Sequence, residues 1–515
     1  MTRRRQIELL RQRNPVFLAV AGSALLLVGL GLLLARNPLS REASGKTELL
    51  VYCAAGLQPA VDPIAREYER QYGASIRLMY GGSNTLLSQL EVAGRGDLYL
   101  AADDAYLALA EEKKLLAETL PIARMTPVLI VPRENSKRVT GVADLLRDDV
   151  RVALANPDQA AVGKVTRECL QKINQWDALE ARVRQSGVFK PTVNDVATDV
   201  AVGSVDAGVV WDAVAAQFPR VQVIRAPELE AGRVQVSLGV LKTTKVPTQA
   251  LRFARFLTAS DRGLEVFRAH GFEPIAGDRW SERPQLTLFA GAVNRAALEA
   301  TIAAFEERNG VDVQTVYNGC GILTAQMRAT SGETSPEVPD AFMACDVYYM
   351  DVVRDLFADP VEISQTPIVI AVQRGNPKGI ASLADLARPG VRVALGQPDQ
   401  CTIGVLSRRL LESVNLYQRV LENNVVTQTA TSSLLLPSIV TGSADAALVY
   451  RSDAQAEPQK VQYVRIDSPL AGAIQPFAMA RSSEHQQLGR QLLRAIGNSR
   501  AAFEAAGFNW RFDDK

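Results

Sequence analysis

The chain has 515 residues, with 57 Lys and Arg against 56 Asp and Glu, and 47% of it is apolar. At roughly 100–200 residues per domain this length calls for more than one core. Beyond the first thirteen residues the balanced charge leaves nothing basic enough for nucleic acid. Only two histidines occur, His270 and His485, which argues against a histidine-bound metal enzyme or a serine–histidine triad.

Five arginines, Arg3, Arg4, Arg5, Arg11 and Arg13, precede an uncharged run from Pro15 to Ala35. As a helix that run would span roughly 31 Å, close to the hydrocarbon thickness of a bilayer. The arginines are expected on the cytoplasmic side. The reading is a basic cytoplasmic segment over 1–14, a transmembrane signal anchor over 15–35 and a polar tether over 36–47. The run ends in Leu-Leu-Leu-Ala-Arg-Asn-Pro, a poor cleavage site, so the anchor is expected to be retained. Everything beyond it is then periplasmic, held at the inner membrane.

From residue 48 the pattern alternates. Leu49–Cys53 reads as a strand and Gln58–Tyr72 as a helix, with Val61, Ile64, Ala65 and Tyr68 at helical spacing. Ile76–Tyr80 is the next strand and Thr85–Ala93 the next helix. Asp97–Ala101, Pro127–Val131 and Val150–Ala153 are further strands. Val165–Ile173 is helical, and Gly208–Trp211 is a strand. This alternation predicts doubly wound α/β lobes, in which ligands bind at the carboxyl ends of the strands.

The same blocks then return. Glu48–Cys53 is matched by Gln285–Ala290, and Gly82-Ser83 by Gly319-Cys320. Arg151–Gly163 (RVALANPDQAAVG) is matched by Arg392–Gly404 (RVALGQPDQCTIG). Gly203–Ala207 is matched by Gly442–Ala446, and Phe267…Gly271-Phe272 by Phe503…Gly507-Phe508. Colinear blocks of this kind mark a duplication. Copy one is set at 48–277, a Gly/Arg/Glu/Pro-rich linker at 278–284 and copy two at 285–512. An extra Ser/Glu/Pro-rich stretch near Ser331–Pro339 belongs to copy two alone.

Three strand-to-helix turns per copy are built of small residues. In copy one these are Ala54–Leu57, Gly81–Thr85 and Asn156–Gly163, with no basic residue before Lys164. Small side chains let backbone N–H groups and helix N-termini approach an anion, although each turn alone can equally be a plain tight turn. No paired carboxylates, phosphate loop or nucleophile elbow is seen, and no histidine base stands near a cysteine, so no enzyme is expected.

The motifs Cys-Ala-Ala-Gly-Leu (53–57), Gly-Ser-Asn-Thr-Leu-Leu-Ser-Gln-Leu-Glu (82–91), Gly96–Asp103, Asn156-Pro157-Asp158, Gly208–Trp211 and His270-Gly271-Phe272 resemble the periplasmic molybdate-binding proteins of ABC importers. The resemblance covers nearly all of copy one and, more loosely, copy two. It implies the type II periplasmic-binding fold, two α/β lobes around a cleft in each copy. It also implies a bound molybdate- or tungstate-like oxyanion in place of a cofactor, and a permease and ATPase as partners. Carried over position by position, the ligand residues of copy one are Gly56, Ser83, Val162, Val196 and Trp211. Gly56 stands where the family has a serine, and Trp211 where it has a tyrosine. In copy two the same positions are Val293, Cys320, Ile403, Leu435 and Tyr450.

Copy two also holds three of the five cysteines, Cys320, Cys345 and Cys401, on turns expected to line its cleft. Two readings stay open: one disulfide or buried thiols, and a soft-metal site on the three. Cys53 and Cys169 read as structural. His270 reads as a helix C-cap, and Asp103, Asp206, Asp346 and Asp445 as helix caps. The leading function is capture of a tetrahedral oxyanion for an ABC importer. The alternative is a tethered sensor or scaffold whose second copy binds a soft metal or partner through its cysteines.

Overall fold

The structure, a computed structural model, describes residues 47–329 and 338–512. The segment expected to anchor the chain at 15–35, with its basic flank, lies outside the described residues, as does most of the insertion near Ser331. Among the described residues no helix is long and apolar enough to cross a membrane.

Copy one forms two α/β lobes. The first holds a six-stranded sheet in the order Glu273–Pro274, Leu116–Met125, Val234–Leu241, Leu98–Ala101, Glu48–Ala54 and Ser75–Gly81. Glu48–Ala54 pairs in parallel with both of its neighbours, and Val234–Leu241 runs antiparallel to Leu98–Ala101. The second lobe holds five strands in the order Val188–Lys190, Val152–Ala155, Ala207–Trp211, Pro127–Pro132 and Val221–Ile224. Helices cover the parallel strands, so those strands read as unbroken apolar runs rather than alternating ones. Leu98–Ala101, Val152–Ala155 and Ala207–Trp211 are buried at every position.

The chain crosses between the lobes at Thr126 and returns before Val234. Asp212 braces the first crossing. Its Oδ1 accepts the Thr126 N–H at 3.1 Å, and its own N–H donates to the Thr126 carbonyl at 2.9 Å. In copy two the crossing is one unbroken strand, Val361–Gln373, which pairs with Gly472–Met479 in the first lobe and Ala446–Tyr450 in the second. The two sheets of copy two therefore join into one ten-stranded sheet.

The Gln58–Tyr72 helix has the expected limits, and Gly73 closes it in the left-handed conformation, which glycine adopts without a Cβ penalty. Two helices begin earlier than their apolar periodicity predicts, at Ser83 and Ala161. Their first turns are built of small residues, which carry no amphipathic signal.

The linker is not a loose tether. Both Asp278 carboxylate oxygens accept backbone N–H groups, from Gln487 and Leu488, each at 2.9 Å. These are orphan donors in the first turn of the Gln486–Gly497 helix of copy two. Trp280 Nε1 donates to the Tyr72 hydroxyl of copy one at 2.9 Å. Arg308 of copy two reaches Glu118 of copy one at 2.9 Å, and Arg494 reaches Thr119 at 3.1 Å. The first lobes of the two copies are thereby joined.

Asp103 and Asp346 do cap helices, accepting from Ala105 N at 2.9 Å and Tyr348 N at 3.0 Å. Asp206 and Asp445 do not. They accept from the backbone N–H groups of Arg151 and Arg392, at 2.8 and 2.9 Å, and so tie together the starts of neighbouring parallel strands. His270 is the C-cap of Gly263–Ala269, with its Nδ1 2.8 Å from the Val266 carbonyl.

Candidate functional site in the cleft of each copy

In copy one, four chain segments meet where the lobes face each other. From the first lobe come the 3₁₀ turn Ala55–Leu57 and the N-terminus of Ser83–Ala93. From the second come the N-termini of Ala161–Lys172 and Val193–Ala201. Ala54, Gly56, Gly82, Ser83, Ala102, Ala160, Val162, Thr192, Val193 and Trp211 line a small, partly open cleft between the lobes. The N-caps Gly82 and Ala160 make no side-chain cap hydrogen bond, so the first-turn N–H groups behind them, other than that of Asn84, remain available to an anion. The Ser83 hydroxyl accepts the Ala102 N–H at 3.2 Å, which leaves its proton free to donate into the cleft. Lys164, the nearest basic residue in sequence, is drawn away by Glu168 at 2.8 Å and Asp103 at 3.8 Å. The wall is thus made of neutral donors.

The lobes touch across this space. Asn84 N donates to the Gln159 carbonyl at 3.1 Å, its side-chain amide to the Asp158 carbonyl at 2.8 Å, and the Asn194 side chain to the Ala55 carbonyl at 2.8 Å. A Cβ on Gly82 would lie 2.4 Å from the Gln159 carbonyl oxygen and 3.1 Å from that of Pro191. Only glycine at 82 permits this closed approach.

Of the residues expected to bind ligand in copy one, Gly56, Ser83, Val162 and Trp211 come together. Val196 does not. It is fully buried in the helix, against the strand at Gly208, and the cleft is lined one turn earlier by Thr192 and Val193. The side chains of Thr192 and Asp195 form a capping box, and the spacing Thr-x-x-Asp was the signal that would have placed this helix start.

Copy two keeps the frame and changes the lining. Cys320 accepts the Cys345 N–H at 3.1 Å, as Ser83 accepts that of Ala102. Cys345 itself stands in place of Ala102, and Cys401 in place of Ala160, as the matched strand registers and helix N-caps require. Each added sulfur is accommodated by a lost methyl. Gly291 replaces Ala54, and a Cβ there would fall 2.1 Å from the Cys345 sulfur. Gly396 replaces Ala155, and a Cβ there would fall 2.8 Å from the Cys401 sulfur. Val293 and Tyr450 are buried at this cleft, while Leu435, the counterpart of Val196, lies in the core. Ile403 is buried beside Gly396.

The polar character is inverted as well. Asn294, Ser432 and Asp453 stand where copy one has Leu57, Val193 and Val214, and sequence reasoning passed over all three. Burial holds the Asp453 carboxyl up at about 7, against the lowering effect of a hydrogen bond with Ser432. The Tyr450 hydroxyl is buried without a partner, and burial followed by the neighbouring thiols raises its titration. The sulfurs of Cys320 and Cys345 lie 2.7 Å apart. Among the described residues no group of three or more His, Cys, Asp or Glu is arranged to hold a metal ion. Cys53 and Cys169 are buried, as expected of structural thiols.

A model of the bacterial extracellular solute-binding proteins matches residues 49–273 and again residues 286–509. A putative ABC transporter substrate-binding lipoprotein, YvgL of Bacillus subtilis, is 27% identical over 265 residues, covering 51% of this chain and 98% of that protein. The molybdate-binding protein ModA of Mycobacterium bovis is 31% identical over 231 residues, covering 43% of this chain and 84% of its own. Among solved structures, the periplasmic molybdate-binding protein of Azotobacter vinelandii is 19% identical, covers 44% of this chain and 98% of its own, and gives a TM-score of 0.38. The relatives are binding proteins of transporters rather than enzymes. With the family matched over each half, the chain belongs to the bacterial extracellular solute-binding proteins and carries that domain twice in tandem.

Proposed function

We propose that copy one captures a small tetrahedral oxyanion of the molybdate and tungstate class and delivers it to an ABC permease and its ATPase, from a chain held at the membrane by its N-terminal segment. The observation that carries this reading is the small cleft at Ser83, where helix N-termini converge with no charged side chain among the lining residues. Amide and hydroxyl donors suit an anion that must be released again, because no buried counter-charge holds it. The ligand named for the mycobacterial relative agrees with this chemistry.

The test is a thermal-shift and calorimetric panel of molybdate, tungstate, sulfate and phosphate on the full chain. Molybdate or tungstate is expected to raise the melting temperature. Ser83→Ala is expected to weaken binding roughly 10- to 100-fold, the value of a hydrogen bond to a charged group. No stabilisation by either ion at millimolar concentration would sink the proposal.

A further inference from the structure

Copy two has gathered thiols where its twin holds a serine and two alanines, and removed two methyl groups to make room for them. Such paired changes preserve packing while exchanging chemistry. Cys320 is the first residue of the Cys320–Arg328 helix, and Cys345 follows the Ala341–Met343 strand. Their sulfurs are 2.7 Å apart, and both are free thiols. The Cys320 sulfur also accepts the Cys345 N–H.

We propose that copy two has exchanged its oxyanion site for a redox-active dithiol, Cys320 and Cys345, which exchanges with a disulfide of a small molecule or an oxidoreductase. Cys320 attacks first. It opens the Cys320–Arg328 helix, and its sulfur already accepts a backbone N–H that would stay in place as the new bond forms. Cys320 gives up its proton as its sulfur bonds to one sulfur of the incoming disulfide, and the other sulfur leaves as a thiolate that takes up a proton. Cys345 then gives up its proton to solvent and attacks the Cys320 sulfur, displacing the second thiolate. In sum two protein thiols become one disulfide, and the external disulfide is reduced to two thiols.

The hydrogen bond to Cys320, and then burial, hold the Cys345 thiol above its ordinary range, and its place beside the Cys320 sulfur makes it the resolving partner. Cys401 lies across the cleft on the second lobe, with its thiol pushed up to about 11 by burial. It is the bystander. Cys320 is fully buried and Cys345 is 5% exposed, so exchange requires the cleft of copy two to open.

The full chain, reduced and then held in excess oxidised glutathione without denaturant, would be acid-quenched, alkylated and digested for mass spectrometry. It is expected to lose two of its five thiols and to yield a peptide pair joined through Cys320 and Cys345. Dithiothreitol added to the folded chain should restore all five. Cys345→Ser should stop at a mixed disulfide of Cys320 with glutathione, and Cys401→Ser should oxidise as the unaltered chain does. Retention of five thiols, a bond made equally to Cys401, or a bond that resists dithiothreitol in the folded chain would each overturn the proposal. The readout is independent of oxyanion binding, so it stands or falls apart from the function of copy one.

Discussion

At the scale of single residues, the two copies differ most where a side chain reaches the cleft. Copy one presents Ser83 among methyl groups and glycines, whereas copy two presents thiols, with the Asn294 amide and the half-buried Asp453 acid packed near them. Asp453 has a measurable consequence. Its carboxyl titrates near 7 in the folded protein, above the ordinary range near 4, so between those values the folded state binds the extra proton. Stability from this group is therefore present at low pH and is lost as the pH rises toward and through 7. The melting temperature of the full chain is expected to fall between pH 5 and pH 8, by on the order of 1.4 kcal/mol of stability for each pH unit over which the proton is held. Asp453→Asn should flatten that slope over the same window. An unchanged slope would show that the acid is ionised or solvated.

At the scale of elements, helix N-termini and the turns before them make the site. Their small residues were legible in the sequence as three turns per copy. The fourth segment, at Thr192 and Val193, was not, because the carried-over position fell one helical turn too far along. A valine in an apolar helix face gives no sign of which turn meets the cleft. Gly82 gives an element-level prediction. Its φ of −70° is open to any residue, so Gly82→Ala should leave both lobes folded. A methyl there would nevertheless strike the Gln159 carbonyl of the other lobe. Stabilisation by molybdate or tungstate should then be lost, since closure contributes only through contacts made by both lobes. Normal ligand stabilisation in Gly82→Ala would show that binding does not need this approach.

At the scale of the molecule, the copies are joined through their first lobes. The Asp278 contacts at the start of the Gln486–Gly497 helix and the Arg308–Glu118 pair act between those lobes, and each second lobe is attached through its own crossing strands. Closure in one copy therefore leaves the joined lobes in place. With sulfur filling the matching space in copy two, calorimetry on the full chain is expected to find one oxyanion per chain. Two equal sites would contradict the division of labour between the copies.

Duplication, the α/β alternation and the position of the cleft were all determined by the sequence alone. Repeated blocks and apolar periodicity are local signals, and a strand buried on both faces declares itself residue by residue. The sequence also placed Ser83 opposite Cys320. Which side chains converge was decided only by the tertiary structure, because that depends on how two lobes close over one another. The exclusion of Val196 and Leu435, the lining by Thr192 and Ser432, and the use of Asp206 and Asp445 as ties between strands are of this kind. So is the pairing of Cys320 with Cys345 across 25 residues of chain, with Gly291 giving up a methyl to hold them.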